Sequence, residues 1–193
     1  ERGVIELNRE LIKLSHKSTI ISFGGNEVKK ITNDGGAHYT LDIWSKNPFN
    51  FFLRAKKLKQ LIQIIKPDIL HARSRVPAWM TWYINKKLKI PFITTVHGFN
   101  SVNSYSAIMT KGDMVIYSSR SIKNHIIQNY KINPEKLRYV PRGIDTDFFN
   151  VKKVDHLWIS DFINKYNLHN KKIFTMVGRI TEWKGHHLFI QAI

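Results

Sequence analysis

Residues 67–98 read PDILHARSRVPAWMTWYINKKLKIPFITTVHG. The pattern of apolar and polar residues predicts a strand over 68–71, a helix over about 76–88 and a second strand over 92–96. Strands that are joined through a helix in this way are usually parallel, with a right-handed crossover between them. The unit therefore predicts an α/β domain that is built on a parallel sheet.

The same alternation of strands and helices continues on both sides of this unit. On the N-terminal side it predicts a helix over about 2–16, strands over 18–23 and 38–43, and a helix from Asn47-Pro48 to Lys66. On the C-terminal side it predicts strands over 114–118 and 137–140, helices over 120–130 and near 158–163, a strand over 173–177 and a helix from about 185. We interpret the whole as a doubly wound, Rossmann-like parallel sheet followed by the start of a second such domain.

The composition excludes some kinds of site but does not identify a binding partner. The 193 residues include 31 lysines and arginines against 14 aspartates and glutamates, a formal net charge of +17, and no cysteine. Disulfides, thiolate zinc sites and a cysteine nucleophile are therefore excluded within this sequence. The charge favours nucleic acid, a phosphorylated ligand or an anionic membrane. A composition rich in Lys, Ile and Asn explains the excess equally well.

Polar, cationic or glycine residues follow five of the predicted strands at the point where each strand ends. Because ligands of open parallel sheets bind beyond the carboxyl ends of the strands, these residues are expected to lie at the ligand crevice. Together they predict a cleft for an anionic, hydroxyl-rich ligand. They are Arg73-Ser74-Arg75, His97-Gly98, Ser118-Ser119, Arg142-Gly143 and Gly178-Arg179.

Several segments, in the same order along the chain, resemble a known family. The segment Phe174-Thr-Met-Val-Gly-Arg-Ile-Thr-Glu-Trp-Lys-Gly185 resembles the start of the C-terminal domain in retaining glycosyltransferases of family four, which have the GT-B fold. The other matching segments are Glu1-Arg2-Gly3, His71-Ala-Arg-Ser-Arg-Val-Pro-Ala-Trp79, Thr95-Val-His-Gly98 and Val140-Pro-Arg-Gly-Ile-Asp145. The His-Ala-Arg-Ser-Arg form and Ser45-Lys-Asn-Pro48 are most similar to the bacterial branch that is associated with lipopolysaccharide core and other envelope glycans.

The resemblance implies an activity and a donor site. The activity is transfer of a hexose from a nucleotide sugar to a lipid-linked or envelope glycan acceptor, of lipopolysaccharide type, with retention of configuration. No metal is obligatory and no other cofactor is expected. Arg179 and Lys184 match the residues that bind the donor diphosphate, and Gly178 would let the backbone approach the phosphates. His97 matches the histidine that closes over the transferred sugar.

The remaining strand-end residues are expected to line the acceptor side or the cleft. They are Arg73, Ser74, Arg75, Ser118, Arg142 and Gly143. For Ser118 and Ser119 a second explanation is equally good, because a serine at this position can cap the helix that follows. Asp145-Thr-Asp147 spells the metal-binding triplet of the other main glycosyltransferase fold, but its place after Arg142-Gly143 favours a linker over a metal site.

The resemblance also implies an organisation of the chain. Residues 1–150 are expected to form the acceptor-binding Rossmann-like domain, 151–169 an interdomain linker and 170–193 the beginning of the nucleotide-sugar-binding domain. The family's first strand and glycine-rich loop are expected before Glu1, and most of the donor domain after Ile193. On this interpretation the 193-residue chain alone is inactive.

Two other classes of function and one surface stay open. A nucleotide-sugar epimerase of the same fold is the nearest enzymatic alternative, and a basic nucleic-acid-binding protein is the second, although no helix-turn-helix, zinc or aromatic RNA-binding motif supports it. We expect no nucleic-acid partner and a cytoplasmic location. The basic flank of the predicted helix to Lys66 (Arg54, Lys56, Lys57 and Lys59) fits attachment to an anionic membrane on the inner face of the plasma membrane, and it fits a solvated helix face equally well.

Overall fold

The computed structural model describes residues 2–45, 47 and 49–193, and these residues form two compact units. The first unit ends at Arg142, and the second runs from Gly143 to Ile193. Every strand that the structure describes lies in the first unit, whereas the described part of the second unit contains helices and irregular chain. Among the described residues, no helix is both long enough and apolar enough to cross a bilayer.

The strands of the first unit are all parallel and form two sheets. They are β1 (Thr19–Ser22), β2 (Ala37–Thr40), β3 (Leu70–Ala72), β4 (Phe92–Val96), β5 (Met114–Tyr117) and β6 (Leu137–Tyr139). β1 pairs with β2, and the other four form a sheet in the order β3-β4-β5-β6. The predicted α/β architecture with parallel strands is confirmed. No described strand joins β1 or β2 to β3.

The helices of the first unit follow the predicted order with one addition. They are α1 (Arg2–Lys13), α2 (Val28–Asn33), α3 (Phe51–Ile65), α4 (Arg75–Leu88) and α5 (Arg120–Asn129). The sequence analysis missed α2, whose six residues are too few to show a helical period. α3 begins at Phe51, and the predicted start at Pro48 falls on a residue outside those that the structure describes.

The core of the first unit lies between the helices and the four-stranded sheet. Met80 of α4, Val115 of β5 and Ile126 of α5 are fully buried in it. Burial of each large apolar side chain contributes roughly 1.5–3 kcal/mol. β4 is the most buried strand, since four of its five residues are buried, and Thr94 inside it donates a 2.6 Å hydrogen bond to the carbonyl of Met109. This strand is therefore the rigid centre of the sheet.

A close approach between α1 and the turn before β2 fixes the smaller sheet. The side chain of Asn8 is buried and donates to the carbonyl of Ile31 at 3.3 Å. A Cβ at Gly36 would stand 2.1 Å from Asn8 Oδ1, which is far inside van der Waals contact. Only glycine at position 36 leaves room for this asparagine, so Gly36 has a packing role.

Arg54 does not belong to the basic flank in which the sequence analysis placed it. Its side chain is buried, with the residue 6% exposed, and lies 3.5 Å from the carboxylate of Asp42. It donates hydrogen bonds to the backbone carbonyls of Ser45 at 2.8 Å, Asn47 at 2.7 Å and Asn50 at 3.2 Å. A guanidinium can satisfy several carbonyls at once because its five N–H donors lie in one plane. Arg54 therefore fixes the loop that leads into α3.

The second unit forms helices but no strand in its described residues. α6 (His156–Lys165) begins at Asp155, whose carboxylate accepts from the backbone N–H groups of Leu157 and Trp158 at 2.9 and 3.1 Å. α7 (His186–Gln191) follows a short 3₁₀ turn. The predicted strand over 173–177 was wrong for this structure: this segment is irregular. A strand needs a neighbour to satisfy its backbone groups, and no other strand is described in this unit.

Replacing Arg54 with alanine should lower the free energy of unfolding by about 2–3 kcal/mol, because three backbone carbonyls lose a charged donor and Asp42 loses its cation. Urea unfolding of the purified chain measures this change. Lys57→Ala, an exposed change of the same charge on the same helix, should stay within about 0.5 kcal/mol of the parent. Equal losses in the two variants would show that Arg54 is not a structural anchor.

Candidate active site

The carboxyl ends of the four-stranded sheet bring several predicted site residues to one edge. Arg73 directly follows β3, His97 follows β4, Ser118 follows β5, and Arg142 lies three residues beyond β6. The four strands are parallel, and each is hydrogen-bonded to the next, so their carboxyl ends lie along one edge of the sheet. These residues therefore share the crevice where ligands of such sheets bind. The clustering of Arg73, His97 and Arg142 that the strand ends predicted is therefore present in the structure.

Arg142 ties the segment after β6 to the end of β4. Its Nη2 donates a 3.1 Å hydrogen bond to the backbone carbonyl of His97. Beside this contact the backbone is open, since a Cβ on Gly98 or on Gly143 would meet no heavy atom within 4 Å. A ligand can therefore approach the main chain closely at this edge of the sheet.

Arg73 reaches the cluster from β3 and lies against the first turn of α1. A Cβ placed on Gly3 would stand 3.3 Å from Arg73 Nη2, so the absence of a side chain at position 3 leaves space for the guanidinium. Burial, followed by the charge of Arg142, lowers the pKa of Arg73 below its ordinary value. Among the described residues, no carboxylate forms an ion pair with Arg73 or Arg142.

The two histidines of the cluster are neutral at physiological pH. Loss of solvation, followed by the charges of Arg73 and Arg142, lowers the pKa of the half-buried His97 to about 4. His71 also has a pKa of about 4, because of desolvation first and then the charges of Arg73 and His97. His71 keeps part of its surface exposed along β3, while its Nε2 lies 2.7 Å from Thr95 Oγ1.

Sequence reasoning missed His71 as a member of this site. It lies two residues before Arg73, and side chains two positions apart along a strand point to the same side. That spacing in His71-Ala-Arg73 was the signal that could have found it. Neutral histidines beside arginines that lack a carboxylate partner are an arrangement that favours an incoming anion.

Ser119 serves the framework of the fold. Ser119 caps α5 by accepting a 3.3 Å hydrogen bond from the N–H of Ile122, which is the capping alternative raised from the sequence. Ser118 beside it is half-buried. Ser74 occupies the N-cap position of α4, although its side chain makes no capping hydrogen bond.

Arg75 is held by the loop before β5. It donates a 3.1 Å hydrogen bond to Ser106 Oγ, and its guanidinium lies 5.2 Å from the ring centre of Tyr105. These contacts direct its side chain to the loop, so Arg75 is a weaker candidate than Arg73 for contact with a ligand.

The second unit brings Gly178 and Lys184 together. A Cβ on Gly178 would lie 4.0 Å from Lys184 Cδ and 3.9 Å from His186 Cε1, an ordinary contact distance. The Lys184 ammonium lies 4.2 Å from the ring centre of Trp183. Arg179 is exposed one residue after Gly178. The unit therefore places a glycine, an arginine and a lysine along one short segment, as the sequence suggested.

The Asp145-Thr-Asp147 triplet forms a turn. Asp145 Oδ1 accepts from the backbone N–H groups of Asp147 and Phe148 at 3.1 and 2.9 Å. Such an aspartate turn uses the carboxylate oxygen to satisfy the backbone. Within the residues described, no group of three or more histidines, aspartates or glutamates is arranged to hold a metal ion.

A family model decides the identity of the chain. The model for Glycosyltransferase Family 4 matches residues 1–148, which include every strand described above. The chain belongs to glycosyltransferase family 4. A curated relative is the N-acetylgalactosamine-N,N'-diacetylbacillosaminyl-diphospho-undecaprenol 4-alpha-N-acetylgalactosaminyltransferase of Campylobacter jejuni, which is 24% identical over 77% of this chain and 43% of its own length.

Solved structures agree with the family assignment. A glycosyltransferase from Rickettsia africae ESF-5 is 34% identical, with a TM-score of 0.85, over 99% of this chain and 52% of that structure. Anabaena Alr3699/HepE in complex with UDP and glucose is 14% identical, with a TM-score of 0.78, over 98% and 53%. These likenesses confirm the expected GT-B fold. This family 4 chain spans about half the length of the proteins that it matches.

Lowering the pH should destabilise this family 4 chain through its neutral histidines. The unfolded chain binds a proton at His97 near the ordinary pKa of 6.5, whereas the folded chain does so only near 4. The free energy of unfolding should therefore fall as the pH is lowered through this window. His71 acts in the same direction. Urea unfolding at several pH values should show a shallower fall for His97→Gln; identical curves for variant and parent would contradict the perturbed pKa.

Proposed function

We propose that the protein containing this chain transfers a hexose from a nucleotide sugar to a lipid-linked or envelope glycan acceptor, of lipopolysaccharide type, with retention of configuration. Residues 1–150 supply the acceptor side, 151–169 the linker, and residues from 170 onwards begin the donor side. The reaction uses no obligatory metal and no other cofactor. The protein works in the cytoplasm, at the inner face of the membrane that holds its acceptor.

One observation carries this proposal: the cluster of Arg73, His97 and Arg142 at the carboxyl ends of the sheet. The cluster offers guanidinium groups, a neutral imidazole and open glycine backbone in one crevice. Cations hold phosphate groups, and a neutral imidazole can donate or accept a hydrogen bond with sugar hydroxyls. This combination suits a phosphorylated carbohydrate ligand better than an uncharged one.

The relatives support the classes of donor and acceptor. Anabaena Alr3699/HepE, which shares the fold, binds UDP and glucose, and UDP-glucose occupies a second structure of that protein. The Campylobacter jejuni relative is named for a glycan on diphospho-undecaprenol as its acceptor. We infer a nucleotide-sugar donor and an acceptor with a polyprenyl diphosphate for the present protein.

The chemistry needs charge stabilisation on the leaving nucleotide. When the glycosidic bond of the donor breaks, negative charge develops on the departing diphosphate. Arg179 and Lys184 of the second unit supply two cations for that charge, and Gly178 leaves the neighbouring backbone accessible. His97 orients the transferred sugar through its neutral ring.

The exposed start of α3 supports attachment to the membrane. Phe49 is 91% exposed, Phe52 is 65% exposed and Leu53 is 57% exposed at one end of a helix whose Lys56 and Lys57 also face solvent. Aromatic and aliphatic side chains next to lysines are typical of segments that lie on an anionic bilayer surface. Lys59 is half-buried, and Arg54 takes no part.

Removing either donor-side cation should impair transfer in the complete enzyme. Arg179→Ala and Lys184→Ala should each cost about 2–4 kcal/mol of transition-state stabilisation, comparable to the loss of one oxyanion donor. His97→Ala should lower kcat while the fold is kept. Radiolabelled sugar transfer from a panel of nucleotide sugars to a polyprenyl-diphosphate glycan measures all three effects.

Lys172→Ala is the matched control for these changes, because Lys172 is an exposed cation of the same unit. Its kcat/KM should equal that of the parent. Normal turnover in Arg179→Ala and Lys184→Ala together would remove the donor assignment. The proposed function itself would be overturned if the parent transferred no sugar from any nucleotide sugar and formed an epimerised nucleotide sugar instead.

Membrane attachment should depend on α3. Lys56→Gln with Lys57→Gln should weaken binding to vesicles of anionic phospholipid by at most about 1 kcal/mol per lysine. Phe52→Ser should weaken it further by removing an apolar contact. The control is Lys86→Gln with Lys87→Gln, an exposed lysine pair on α4. If the control pair weakens sedimentation with vesicles as much as the α3 pair, the helix has no specific role.

A further inference from the structure

The first unit holds a concentration of positive charge that its own residues do not neutralise. Arg73 follows β3 and Arg142 lies three residues beyond β6, and burial, followed by the charge of Arg142, lowers the pKa of Arg73. No described carboxylate pairs with either group. Like charges held near one another in a partly desolvated crevice raise the energy of the empty site, and a bound anion relieves that cost.

The structure positions both arginines with contacts that leave donors available. Arg142 uses Nη2 for the carbonyl of His97, and its side chain is otherwise exposed. Arg73 lies beside Gly3, since a Cβ at that position would stand 3.3 Å from its Nη2. An anion between the two arginines would meet N–H donors from both of them.

We propose that Arg73 and Arg142, which follow β3 and β6 on either side of His97, hold the diphosphate of the acceptor. The inference rests on the proposed function, and it assigns the acceptor's phosphates to the first unit. A diphosphate carries enough negative charge to neutralise both arginines, which a sugar hydroxyl does not. Arg179 and Lys184 of the second unit are the cations proposed for the donor, so the two ligands have separate sets of charges.

The neutral state of His97 is the one expected beside an empty anion site. With no anion present, Arg73 and Arg142 oppose its protonation. A diphosphate in the crevice would reverse this local field and make the imidazolium more favourable. The ring of His97 therefore reports on occupancy of the site through its own titration.

Titration of the 193-residue chain with inorganic pyrophosphate tests the site directly. Calorimetry should show saturable binding, and Arg73→Gln and Arg142→Gln should each weaken it by about ten-fold, the loss of one charge-assisted contact. NMR titration of the imidazole should show a higher pKa for His97 when pyrophosphate is bound. No saturable binding, or binding that neither variant changes, would overturn the proposal.

Arg138→Gln is the matched control, since it removes the same charge from β6 while its guanidinium bonds to the carbonyls of Glu135 and Leu137. It should change pyrophosphate affinity by less than about two-fold. An equal loss in Arg138→Gln would show that diffuse charge alone binds the anion. Arg73→Lys keeps the charge and should retain most of the affinity for pyrophosphate. This variant therefore tests the site if Arg73→Gln does not fold.

Two further probes distinguish the acceptor's diphosphate from the donor's. In the complete enzyme, affinity for a short prenyl diphosphate should fall in Arg73→Gln and Arg142→Gln, while affinity for uridine diphosphate should fall in Arg179→Gln. The reverse pattern would overturn the assignment to the acceptor. If the complete enzyme transfers sugar but pyrophosphate does not bind at this cluster, the phosphate site is contradicted and the proposed function is not. Pyrophosphate binding that depends on the cluster, without sugar transfer, would defeat the proposed function and support the phosphate site.

Discussion

The pairing of β4 with β3 on one edge and β5 on the other is the constraint on which the rest of the first unit depends. It encloses Thr94 and Val96 and gives α4 a surface on which to pack. The same pairing determines where β3 and β4 end. Since the residues after those ends are Arg73 and His97, the hydrogen bonds of the sheet set the geometry of the candidate site. The pairing of β4 therefore determines both the packing of the core and the geometry of the candidate site.

Most of the first unit could be predicted from the sequence because its signals are local. The run from Pro67 to Gly98 has strand, helix and strand patterns of adequate length, and the structure forms β3, α4 and β4 within it. The convergence of Arg73, His97 and Arg142 followed from the rule for parallel sheets. His71 was missed because it lies inside β3 and not after its end, where ligand-binding residues were sought, so only its two-residue spacing from Arg73 indicated it.

The errors share a physical origin, which is dependence on distant partners. Residues 173–177 have the apolar pattern of a strand, but their backbone groups have no described strand beside them in the second unit. Arg54 has the pattern of an exposed helix cation, yet the carbonyls of Ser45 and Asn47 draw it inward. A one-dimensional pattern reports what a segment prefers, and tertiary neighbours decide whether that preference is met.

The order of the four strands also gives the candidate site an uneven stiffness. His97 follows β4, which pairs with a strand on both sides, whereas Arg142 lies three residues beyond β6, which among the described strands pairs with β5 alone. An imidazole on a strand paired on both sides, with a cation on a less constrained segment, can adapt to anions of different width without disturbing the core. A substitution that stiffens or loosens an outer strand would then change which ligands fit, although it touches none of them.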